Sequence, residues 1–187
     1  MLVNEITSNV KDLLIADAHW TKLTKVNNNW SDDPLFFNYH KLGNKQKGVV
    51  GEHYVQTLME VKKSTVSPPD NVGHDRIIDG HKTEIKFSLA VSKGSQIIAN
   101  HFIINHVAVG KDWDRLIFCG INPLDSGASR ASVYYFTKKD FASYMKSGGN
   151  LVFKHQQSGK KGGNDDFICT NFKKFVSLPF VKEISEW

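Results

Sequence analysis

The stretch that decides the fold is Gly73-His74-Asp75-Arg76-Ile77-Ile78-Asp79-Gly80-His81-Lys82-Thr83-Glu84-Ile85-Lys86, two short strand patterns on either side of an Asp-Gly pair. Asp-Gly between such patterns is a strong hairpin signal, because the type I′ turn needs φ > 0 at both central residues. With Asp79 and Gly80 as the loop, Ile78 faces His81, Ile77 faces Lys82, Arg76 faces Thr83 and Asp75 faces Glu84. Directly opposed residues share a face, and side chains alternate along each strand with period two. Asp75, Glu84 and Lys86 therefore converge on one face, with Ile85 on the other. Opposed carboxylates repel, so this placement implies a cation between them.

Working outward, the second strand runs on through Phe87 and Leu89, which share the face of Ile85 and mark it as core. The face carrying Glu84, Lys86 and Ser88 is expected to look toward solvent or a substrate. Before the hairpin, Pro68 and Pro69 make Ser64 to Val72 a rigid, irregular connection. A helix is expected over Lys47 to Lys63, because Val50, Gly51, Tyr54, Val55, Leu58 and Met59 fill one half of the wheel. Glu52 falls at the border of that arc and Glu60 on the polar side. A boundary Glu is ordinarily a solvated residue; its place just before the hairpin makes Glu52 a candidate for the same cleft.

Further upstream, Thr7 to Val26 reads as a helix burying Val10, Leu13, Leu14 and Trp20. Asn27 to Pro34 is loop chemistry, and Leu35 to Leu42 is apolar and aromatic without a clear period. Downstream, Gln96 to Val109 reads as a helix followed by a strand-like piece, and Arg115 to Ile121 as a strand buried on both faces. Val133 to Phe136 is the next strand. Thr137 caps a helix with Asp140 at the third position, Phe141, Tyr144 and Met145 on its apolar side, and Gly148 and Gly149 at its end. Lys154 to Asn164 is a basic, glycine-rich loop, and Phe167 to Val181 alternates apolar and basic positions. This order of elements indicates one α/β domain over residues 1–187, a sheet with helices packed on it.

Composition narrows the class. The 187 residues carry a formal charge of +5 and a pI near 9.1, which suits a polyanionic partner. The two cysteines, Cys119 and Cys169, lie among apolar neighbours and read as reduced core thiols rather than a disulfide. Without a signal peptide or a run long enough to span a bilayer, the expectation is a soluble cytoplasmic protein with no membrane contact. No Cys-x-x-Cys, His-Glu-x-x-His or phosphate-binding P-loop occurs, so no nucleotide cofactor is expected. His101 and His106 are five apart and do not stack on a helix face.

Two carboxylates on adjacent strands offer oxygen ligands to a hard divalent cation such as Mg2+, and the Ile85 carbonyl can add another. Lys86, two residues from Glu84, would sit beside the ion, where it can orient and help deprotonate an attacking water or offset charge on a phosphate. That set suits phosphodiester hydrolysis, with Glu52 as an outer or second-metal ligand. The competing reading is a solvated surface hairpin whose ion pairs contribute little. Glu-x-Lys alone is common; an Asp opposite the Glu, on a strand whose other face is Ile85, Phe87 and Leu89, favours the site.

Asp75, then Glu84-Ile85-Lys86 on the next strand, with Gly51-Glu52 on the preceding helix, resembles the PD-(D/E)xK nuclease superfamily. Chain length and the run from Phe102 through Asp112-Trp113-Asp114-Arg115 to Gly120-Ile121 look most like type II restriction endonucleases. The resemblance implies a restriction-endonuclease-like fold, a central mixed sheet flanked by helices, and Mg2+-dependent, sequence-specific cleavage of double-stranded DNA. It implies Asp75 and Glu84 as metal ligands, Lys86 as the catalytic lysine and Glu52 as the auxiliary acid. Pro69-Asp70 spells the motif's name, but in the hairpin register Asp70 lies five residues beyond the partner of Glu84. Asp75 is instead preceded by His74, a departure from the nominal pattern. Symmetric sites suit a homodimer. Other candidates are a repair, nicking or junction-resolving nuclease with the same core, or a non-catalytic DNA-binding domain. Candidate DNA contacts are Lys160, Lys161, Gln156, Gln157 and Asn164 on the 154–166 loop, and Lys93, Gln96, Asn100 and Asn105 after the catalytic strand.

Overall fold

The computed structural model of the chain describes residues 43–90, 92–93, 96–97, 100–122, 131–148, 151–156 and 166–187. The helix expected over Thr7 to Val26, the Asn27 to Pro34 loop and the Leu35 to Leu42 segment lie outside the described residues.

The hairpin forms as its sequence dictates. Strand β2 (Arg76–Ile78) pairs antiparallel with β3 (His81–Leu89), with Arg76 opposite Thr83, Ile77 opposite Lys82 and Ile78 opposite His81. Asp79 and Gly80 have φ of 49° and 78°, the two left-handed residues of a type I′ turn. Asp79 also locks its surroundings: Oδ1 accepts from the Thr65 amide at 2.8 Å, and Oδ2 accepts from the Trp187 indole at 2.9 Å. The connection before the hairpin contributes a short edge strand, β1 (Val66–Ser67), paired with β2 and ended by Pro68.

β3 then joins β7 (Arg115–Ile121) in parallel, and β7 joins β8 (Ala131–Thr137) antiparallel. The six-stranded sheet is mixed, in the order β1-β2-β3-β7-β8-β11, with β11 (Lys182–Glu183) at its edge. Along β7 the alternation of side chains assigns two faces. Ile117, Cys119 and Ile121 belong to one apolar cluster, Leu116 and Phe118 to another. The strand is buried on both faces, as its continuous apolar run requires.

The first face is covered by α1 (Asn44–Val61), whose residues Val50, Tyr54, Val55, Leu58 and Met59 are all buried. Gly51 permits the contact: a Cβ there would lie 2.2 Å from the Phe87 Cβ of β3. The second face is closed by a phenylalanine-rich layer. It draws on α2 (Lys138–Lys146), α3 (Phe172–Val176), the loop residue Phe153, and a small antiparallel sheet of β6 (Ile104–Ala108), β10 (Asp166–Cys169) and β9 (Lys154–His155). Phe136, Phe141, Phe153 and Phe175 are essentially inaccessible and meet mostly edge to face. The Thr137 cap is formed, its Oγ1 accepting from the Asp140 amide at 3.1 Å.

Two expectations are corrected. The described part of Gln96 to Val109 contains no helix: β5 (Gln96–Ile97) forms a hairpin with β4 (Ser92–Lys93), and β6 follows. The strand-like piece expected at the end of that range is β6, which pairs with β10 some sixty residues later in the chain. Nor does the Glu84, Lys86 and Ser88 face of β3 lie open. Glu84 and Ser88 are 2% and 8% exposed. The connection from β6 to β7 and the phenylalanine layer cover that side.

Candidate active site

Asp75 stands one residue before β2, just past the last paired position, Arg76 opposite Thr83. Its amide donates to the Thr83 carbonyl at 3.0 Å, and its Oδ2 accepts from the Ile85 amide at 2.7 Å. In a strand the N–H and C=O of one residue point to the same edge, so the Ile85 carbonyl lies on the edge that Asp75 occupies, beyond the last β2 partner. Asp75, Glu84 and the Ile85 carbonyl thus come together. Burial, and then the neighbouring Glu84 charge, push the Asp75 carboxyl above its ordinary value.

Glu84 is the centre of the site. Its side chain is 3% exposed, and Oε1 accepts from Lys86 Nζ at 2.7 Å and from Lys111 Nζ at 2.9 Å. Its second oxygen, Oε2, is buried without a hydrogen-bond partner. A buried carboxylate oxygen with no donor is costly unless a cation or polar group completes it. The donors therefore fit a hard dication: two carboxylates and a backbone carbonyl, with one anionic oxygen still unsatisfied. Among the described residues no three His, Cys, Asp or Glu side chains group to grip an ion by themselves.

Glu52 projects from α1 toward the same region. Its pKa is raised by burial and then by the charge of Asp75, which places the two acids within mutual influence. Its Oε2 is engaged by the Arg76 guanidinium at 2.9 Å. Arg76 also donates to Gln56 Oε1 at 3.2 Å and to the Asp75 carbonyl at 2.6 Å. Arg76 therefore holds Glu52, a partner that the hairpin register alone did not suggest.

Asp70 of the Pro-Asp pair serves elsewhere. It is exposed and lies 3.4 Å from His74 and 3.9 Å from Lys82. His74 is buried rather than a surface residue, with Nδ1 3.2 Å from the Asp112 carbonyl. Lys82 pairs with Asp112 at 2.6 Å. These contacts fasten the β6–β7 connection across the face of the hairpin and bring in Lys111, which sequence reasoning missed. Its signal was faint: a single lysine before Asp112-Trp113-Asp114, whose arrival depends on β7 pairing in parallel beside β3.

Of the candidate DNA contacts, Gln157, Lys160, Lys161 and Asn164 lie outside the described residues, and Lys93 and Gln96 are placed only as backbone in the β4–β5 hairpin. Asn100 is exposed but exchanges hydrogen bonds with Asn122. Asn105 is exposed, and Gln156 accepts from the His106 amide at 3.2 Å. His106 Nδ1 lies 2.7 Å from Asp166 Oδ2. Cys119 and Cys169 are free, buried thiols. Among the described residues no helix is long and apolar enough to cross a membrane. The chain matches no family model and no curated protein.

Proposed function

We propose that the chain is a Mg2+-dependent endonuclease of restriction type that hydrolyses phosphodiester bonds of double-stranded DNA. One observation carries the reading: Glu84 is buried beside Asp75 with one oxygen unpartnered and the other held by ammonium groups. That arrangement costs folding energy and is retained where a site needs a dication. The resemblance to PD-(D/E)xK nucleases, with its mixed central sheet flanked by helices, supports the same conclusion, as does the excess of positive charge.

In this reading Asp75, Glu84 and the Ile85 carbonyl hold the ion, and Glu52 stands behind Asp75 as an outer ligand that Arg76 can release. The ion, when bound, supplies Lewis-acid polarisation of the phosphoryl oxygens. Lys86 orients the attacking water and offsets the charge that builds on the phosphate. Its position is fixed by the 2.7 Å bond to Glu84, two residues away on the same face. The amides and lysines after β3 and on the 154–166 loop would contact DNA, and a homodimer would match a palindromic site.

Incubation of supercoiled plasmid with the protein, with and without Mg2+, tests this. Discrete Mg2+-dependent fragments support a restriction enzyme. Nicked circles alone indicate a nicking or repair enzyme with the same core. DNA binding without cleavage indicates a non-catalytic domain.

A further inference from the structure

Lys111 occupies an unusual position. Its ammonium shares Glu84 Oε1 with Lys86, yet its side chain is 43% exposed, against 17% for Lys86 and 3% for Glu84. Its backbone is well fixed. The Lys111 carbonyl accepts from Lys138 Nζ at 2.5 Å, and Trp113 is buried with its indole donating to the Ala108 carbonyl at 2.8 Å. Asp114 bonds the Lys82 amide at 2.9 Å, and Asp112 bonds Lys82 Nζ at 2.6 Å. The flexible four-carbon stem of Lys111 can therefore leave Glu84 without any movement of the loop.

Charge balance says when it leaves. As the structure stands, Asp75 and Glu84 are matched by Lys86 and Lys111, while Glu52 and Arg76 match each other. A dication added to this neutral set leaves an excess of two positive charges beside a buried carboxylate. Departure of the more exposed lysine removes one, and an arriving phosphodiester removes the other. Resting on the proposed reading of the site, we propose that Lys111 is a displaceable counter-ion of Glu84. It offsets the Glu84 charge from Oε1 until a dication arrives, and then swings outward to meet a phosphate of the DNA backbone. Lys86, the more enclosed of the two lysines, stays.

Calorimetric titration of Mn2+ into the full-length chain without DNA tests this, comparing the native protein with K111M, K111R and E84Q. K111M is expected to bind Mn2+ at least about tenfold more tightly, because a unit charge roughly 4 Å from a dication is worth more than one decade of affinity even at the dielectric constant of water. K111R, which keeps the charge, returns toward native affinity, an outcome that a merely structural role for Lys111 would not produce. E84Q loses binding. If K111M binds no more tightly than the native protein while E84Q still loses binding, the counter-ion role is wrong and the cation site stands. If E84Q binds as well as the native chain, or no chain binds Mn2+, the site reading fails and the counter-ion role with it.

Discussion

Replacing Gly51 with alanine tests how the site is mounted on the fold. An added Cβ would sit 2.2 Å from Phe87 Cβ and 2.6 Å from its Cγ. Carbon atoms prefer a separation of about 3.5–4.0 Å, so α1 must retreat from β3 by roughly 1.5 Å or Phe87 must abandon its rotamer. Overpacking of this kind costs about 1–3 kcal/mol, and the better helix propensity of alanine returns about 1 kcal/mol. At 2.2 Å the overlap lies at the upper end of that range, so the net expectation is a loss of about 2 kcal/mol. Urea denaturation followed by circular dichroism should show a lower midpoint with an unchanged slope. Cleavage should fall further than the stability loss explains, because the retreating helix carries Glu52 away from Asp75. Phe87→Gly in the same background, which removes the Cβ as well as the ring, should relieve the clash, giving a coupling of favourable sign in the double-mutant cycle. A Gly51→Ala protein as stable as the native one would refute the contact, and with it the placement of Glu52.

The remaining predictions concern the charges and the anchors. Burial and Glu84 raise the Asp75 pKa above its ordinary 3.8, so the folded state binds that proton more tightly than the unfolded chain. The resulting penalty on folding develops as pH rises from 3.8 through the raised value and is fully present above it. Asp75→Asn, which keeps an acceptor for the Ile85 amide, should raise the thermal midpoint at pH 7 and lose that advantage in acid; an unchanged or lower midpoint at pH 7 contradicts it. Trp187→Phe keeps a ring against Tyr135 but removes the donor to Asp79, and should cost about 1 kcal/mol in urea denaturation. Burial pushes the Cys119 thiol far above its usual range, so iodoacetamide should label it only in denaturant, as read by mass spectrometry.

What the sequence made legible was local. The type I′ turn at Asp79 and Gly80 fixed the register by its own backbone requirement, and the register set Asp75 against Glu84 with no help from the rest of the chain. Helix α1 was equally readable, because its buried arc from Val50 to Met59 repeats within eighteen residues, although it starts at Asn44 rather than Lys47. Arg115 to Ile121 announced a doubly covered strand. What stayed hidden depends on distant chain. The burial of Glu84 goes with the parallel pairing that sets it beside Leu116 of β7 and with the connection that brings Lys111 onto it, which no pattern near residue 84 encodes. The helix expected at the start of Gln96 to Val109 is replaced by β5 of the β4–β5 hairpin, while the strand-like piece expected after it is β6. Lys111 and Arg76 were missed because their roles follow from which strand lies next to which. The acids could be named from the hairpin; the cations that hold them required the fold.

The central claim is that Asp75, Glu84 and Lys86 form a dication-dependent phosphodiesterase site. Its most direct test is single-turnover cleavage of plasmid DNA at saturating Mg2+ by the native protein and by Lys86→Ala. Mg2+-dependent cleavage by the native chain is expected, with a rate lower by about 10²–10⁴-fold for Lys86→Ala and with far-ultraviolet circular dichroism and DNA affinity retained. Cleavage at the native rate by Lys86→Ala, or cleavage by the native chain in EDTA, would contradict it.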